Sequence, residues 1–157
     1  MNNSISNTVR LPCGFFLMVL ACFNSVSAHE TEGSLMAASG AGATDLYSIS
    51  CFKDAENPSE TPHQLFVNVR DNVKGGGVMS VVVYKATATG GITKTATDPI
   101  GGDYNPSPDI ILTAGEGDYL VFVNHTEKIS ESYMLQYHCQ DAAKQHTGTQ
   151  INSIQNE

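Results

Sequence analysis

The chain has 157 residues and twice as many acids as bases, 16 Asp and Glu against 8 Lys and Arg, for a net charge of −8. That length makes one domain the natural count. Phosphate recognition needs clustered Lys and Arg, and no two basic residues here are adjacent, so nucleic acid is excluded as a partner.

Arg10 is the only charged residue before His29. The stretch from Leu11 to Phe23 is nearly all apolar, and Val26-Ser27-Ala28 offers small residues to a signal peptidase. This layout predicts a signal peptide over 1–28, cleaved after Ala28. Its apolar run is shorter than the roughly 20 residues needed to span a bilayer, and no other run approaches that length. A second cut is also available, because Val19-Leu20-Ala21-Cys22 resembles a bacterial lipobox and would place a lipid anchor at Cys22. The expected location is secreted or periplasmic, with a lipoprotein as the alternative. Removal of 1–28 leaves 129 residues and takes the net charge to −9, since Arg10 is lost.

Residues 29–44 are small, polar and rich in Gly and Ala, without an apolar period, and read as a flexible N-terminal spacer. From Tyr47 onward, short runs of strand character follow one another. Tyr47, Ile49 and Cys51 alternate with serines, and Leu65, Val67 and Val69 alternate with Phe66 and Asn68. Val78 to Tyr84 is almost continuously apolar and predicts a central strand buried on both faces. Gly91 to Thr97 is Thr-rich, as in an edge strand. Ile110 to Leu112 is short. Tyr119, Val121 and Val123 alternate with their neighbours, as do Tyr133, Leu135, Tyr137 and Cys139. Gly75-Gly76-Gly77, Gly90-Gly91 and Gly115 supply turns between the runs. Residues 140–157 read as a frayed polar tail with one turn near Asp141-Ala142-Ala143-Lys144. The predicted fold is all-β: a small antiparallel β-sandwich of about seven strands over 45–139.

Four cysteines are encoded, but Cys13 and Cys22 fall in the leader. Cys51 and Cys139 remain, each on the apolar face of its strand. In an exported domain they predict one disulfide between the first and last strands.

Asp45-Leu46-Tyr47, the run from Ala114 to Val123 and Glu131-Ser132-Tyr133-Met134-Leu135 resemble the bacterial pre-peptidase C-terminal (PPC) domain family over roughly 44–139. The resemblance implies a small β-sandwich acting as an accessory or binding module, with no catalytic residues to carry over. Family members usually have adjacent aspartates before the short fifth strand, whereas Asp98, Asp103 and Asp109 here are dispersed among Gly and Pro.

Two constellations could hold a metal. Cleavage after Ala28 would make His29 the first residue, and a terminal amine with its own imidazole and one further histidine suits copper(II). His63, His125, His138 and His146 are the possible partners; lipidation at Cys22 would leave His29 internal. The loop containing Asp98, Asp103 and Asp109 offers oxygens to calcium without EF-hand spacing. It is also long for a small domain, which marks it as a contact surface. His125 and His138 read as surface or edge residues. No nucleophile–base motif surrounds them, and the absence of Trp leaves no aromatic platform for carbohydrate. The expected function is a non-catalytic binding or accessory module of the cell envelope or extracellular space, with an unidentified protein or glycan as partner. The alternatives are a metal-binding protein and a structural or assembly subunit.

Overall fold

From Asp45 to Cys51 every second residue is buried, and the same period runs from Met79 to Lys85, Tyr119 to His125 and Tyr133 to Cys139. Strands with one buried face pair into sheets whose buried faces must meet. The computed structural model describes residues 29–55 and 58–157. It contains strands β1 (His29–Leu35), β2 (Thr44–Phe52), β3 (Gln64–Asp71), β4 (Met79–Thr87), β5 (Gly90–Asp98), β6 (Ile110–Thr113), β7 (Gly117–His125), β8 (Glu131–Gln140) and β9 (Gly148–Gln155). A 3-10 turn at Ala37–Ser39 is the one helical element among the described residues. One sheet runs β1-β8-β3-β6 and the other β5-β4-β7-β2-β9, with every pairing antiparallel.

The core is the contact of the two inner faces. Leu65, Val67, Val69, Leu135 and Ile110 come from the four-stranded sheet. Ile49, Met79, Val81, Val83, Tyr119, Val121 and Val123 come from the five-stranded one. Cys51 on β2 and Cys139 on β8 are bonded across this interface, with Cα atoms 5.5 Å apart and 88 positions between them in sequence.

The seven predicted runs correspond to β2 through β8. Two further strands correct the reading of the ends. The segment 29–44 is not a structureless spacer, because β1 pairs with β8 in unbroken register from His29↔Tyr137 to Leu35↔Glu131. The tail 140–157 is not frayed, because β9 pairs with β2, and the Glu157 N–H donates to Asp45 Oδ1 at 2.7 Å. The disulfide therefore joins strands one place in from each end of the described fold. Both added strands lie at sheet edges, and most of their residues are exposed or half-buried, so they need few large apolar side chains. A further correction concerns β4, buried on one face only, with Ser80, Val82 and Tyr84 half-buried on the other. The leader 1–28, including Cys13, Cys22 and the cleavage after Ala28, lies outside the described residues.

Candidate functional site

β1 and β9 are edge strands of opposite sheets, and a cleft of about 490 Å³ opens alongside them. Thr31 and Gly33 of β1, Ser153 of β9, and Tyr47, Tyr133 and Asn156 line it, and Glu32, Ser34, Asn72 and Ser132 complete its walls. Ser153 pairs with Tyr47, and Gly33 with Tyr133, so these small residues share the inner face with the tyrosines. A Cβ at Gly33 would overlap the Tyr133 ring. Larger side chains at these positions would seal the sandwich edge; small polar ones leave it open.

The cleft floor is an oriented hydrogen-bond chain. Tyr133 Oη donates to Asp45 Oδ2 at 2.5 Å, so Tyr47 Oη, 2.6 Å away, donates to Tyr133. Burial pushes the Tyr133 phenol well above its ordinary value, and its bonds to Asp45 and Tyr47 push it further. Burial likewise raises that of Tyr47. Both stay protonated and act as donors, leaving lone pairs of Tyr47 as acceptors. Nothing in the sequence pattern marked this group, although Gly33 inside a strand was a signal of close approach.

Histidines collect at the opposite end of β1. The His29 ring stacks on Tyr137 (5.8 Å between centroids) and on His146 (6.1 Å). His146 stacks on His138 at 4.6 Å, and His138 stacks on Phe66 at 4.4 Å. His138 is buried rather than at the surface, which corrects the sequence reading: Phe66 and His146 cover its two faces. Burial holds its imidazolium down to about 4, helped by His146 and His29, and burial lowers that of His146 in the same direction. His63 is exposed, and only its backbone joins the neighbouring strands.

The three loop aspartates do not come together. Asp98 is buried, and its carboxylate accepts from the Asp71 and Ile100 N–H groups. Asp103 is exposed and accepts from the Asn105 backbone and side chain. Asp109 accepts from Asn68 on the outer face of the four-stranded sheet. Among the described residues no three His, Cys, Asp or Glu side chains are grouped to hold a metal ion. Ser107 fastens the loop to β3 through reciprocal bonds with the Val69 backbone. Its outward side chains are Ile100 and Tyr104, 61% and 83% exposed.

No family model matches the sequence, and no curated protein is significantly similar to it. Among solved structures, a similar one is the crystal structure of Yersinia pseudotuberculosis-derived mitogen, at a TM-score of 0.46 and 8% identity, over 79% of this chain and 94% of that chain. The PPC resemblance thus stands only at the level of an all-β fold.

His125 is also buried, again unlike the sequence reading. Its Nδ1 lies 2.6 Å from Glu131 Oε2, both side chains fully enclosed. Nearby, Asp71 Oδ1 accepts from Val73 while Oδ2 is buried without a partner. Burial raises the Asp71 carboxyl, and Glu131 and Asp98 add like charge. An acid raised in the fold loses protons later than it does unfolded, so its ionisation opposes folding increasingly as pH climbs above about 4. Asp71→Asn keeps the acceptor for Val73 and removes the charge. It is expected to stabilise by about 1 kcal/mol at neutral pH, or roughly 3–5 °C in Tm. Thermal melts at pH 4 and pH 7 should show the gain only at the higher pH.

Proposed function

We propose that this protein is an exported, non-catalytic binding module of the cell envelope or extracellular space, and that the cleft beside β1 and β9 receives a neutral glycan. The cleft carries the proposal. Its volume falls in the usual range for small-ligand sites, and eight of its ten lining residues carry a hydroxyl or an amide. A hydroxyl-rich ligand can satisfy Thr31, Ser153 and the acceptor lone pairs of Tyr47, whereas an apolar one would leave them unpaired. The acidic chain disfavours anions. Export is supported by the disulfide, because such bonds persist in oxidising compartments. No helix among the described residues is long and apolar enough to cross a membrane. A non-catalytic role is supported by the enclosure of His125 and Glu131, which no substrate reaches.

Titration of the labelled mature protein with neutral mono- and disaccharides should give saturable amide shifts at Thr31, Gly33 and Ser153. Ser153→Leu, which fills the cleft, should abolish them while the circular dichroism stays β. Shifts absent across the panel, or located elsewhere, would refute the cleft. Robust turnover that disappears on changing one histidine would refute the non-catalytic role.

A further inference from the structure

The histidine end has a feature that neither stacking nor core packing explains. His146 Nε2 and His138 Nδ1 are buried without hydrogen-bond partners, and buried polar atoms are seldom left so. The chain brings these rings to His29 by sheet register. β1 begins at His29, opposite Tyr137 on one edge of β8. Beyond Tyr137, with β3 on the other edge, the His146 segment takes over: Thr147 N donates to Cys139 O at 3.0 Å and His146 bridges Gln140. The first residue of β1 and the approach to β9 thus meet end to end along one strand.

We propose that cleavage after Ala28 completes a copper(II) site, in which the new α-amine and Nδ1 of His29 chelate the ion and His146 Nε2 supplies a third nitrogen. Nitrogen donors suit copper(II) above the other divalent first-row ions. Two imidazoles binding one ion from opposite sides have centroids about 6 Å apart, given metal–nitrogen bonds of about 2 Å. The His29 and His146 rings are stacked with centroids 6.1 Å apart, so their separation suits one ion once both rings turn edge-on to it, and the His29 ring is exposed. His138 packs against the His146 ring at 4.6 Å, and its own Nδ1 is likewise without a partner. The pairing of β1 along β8 holds the chelating residue on a rigid element. Only two side chains are required, because the remaining donor is a main-chain amine that arises on processing. This assignment rests on the export reading through the position of cleavage, and it is independent of the cleft.

The test uses the exported protein, its mass confirming His29 as the first residue, titrated with copper sulfate and followed by electron paramagnetic resonance. One equivalent should bind with coupling to three nitrogens. His146→Ala should lose one nitrogen and weaken binding by at least roughly 100-fold, beyond the 10–100-fold typical of losing a supporting contact. A mature chain whose α-amine is acetylated should weaken it similarly. Undiminished binding by either variant would overturn the proposal and leave an adventitious ion only, and a mature mass starting elsewhere would overturn it too. Each of these failures leaves the saccharide titration, and so the cleft, untouched.

Discussion

The double variant Cys51→Ala/Cys139→Ala should lose about 4 kcal/mol of stability, the magnitude expected for opening a loop of this length. At this chain size that corresponds to a fall in Tm of roughly 15 °C. The bond joins β2 of one sheet to β8 of the other, 88 positions apart. Among the described residues no strand ladder connects the two sheets, so the sulfur bridge restricts unfolded states in which the sheets have separated. Both sulfurs lie inside the sandwich, Cys51 at 2% and Cys139 at 0% exposure, so reduction is expected to be slow until the fold opens. Thermal melts of the oxidised, reduced and double-variant proteins measure the effect. Alkylation of unreduced protein should label neither sulfur. A Tm difference of only a few degrees would show that the sandwich holds its sheets together by packing alone.

What was legible in the sequence followed side-chain size. Strands β2 to β4 and β6 to β8 place large apolar residues on one face, β5 shows instead a Thr-rich edge-strand run, and the Cys51–Cys139 pairing follows from the period of β2 and β8. β1 and β9 escaped notice because most of their inward positions are small or polar: Thr31 and Gly33 precede the single Leu35 in β1, and Thr149 and Ser153 flank the single Ile151 in β9. Those small polar residues hide the strands in the sequence, and several of them hold the cleft open. The histidine cluster was half legible. His138 and His146 could be named as partners for His29, but only the register of β1 on β8 shows that they meet. The apparent mobility of 29–44 argued against a metal site there, and the pairing of β1 removes that objection. In the aspartate loop, backbone and amide donors draw the carboxylates of Asp98, Asp103 and Asp109 to separate places, which spacing in sequence does not reveal.

The second large effect should come from Glu131. Its Oε1 accepts from the Gly77 N–H at 2.7 Å, and its Oε2 faces His125 Nδ1 at 2.6 Å. His125 Nε2 faces the Gly40 carbonyl at 3.2 Å. One carboxylate and one ring thereby pin the β1–β2 connection and the glycine turn before β4 to the start of β8. Gly76 belongs to the same arrangement, since a Cβ there would overlap the Glu131 carboxylate. Both ring nitrogens of His125 face acceptors. Glu131→Ala leaves that ring and the Gly77 N–H without their acceptor in a fully buried site, and the expected cost is about 3–5 kcal/mol. Glu131→Gln behaves differently. Its carbonyl can still accept from Gly77, its NH₂ can donate to Nδ1, and the neutral ring can donate from Nε2 to Gly40, so the loss should be nearer about 1 kcal/mol. Denaturant unfolding of the two variants separates them, and amide exchange at 40–43 should accelerate in the alanine variant alone. Equal losses for alanine and glutamine would mean that charge, and not the satisfaction of buried donors, holds this end of the sandwich closed.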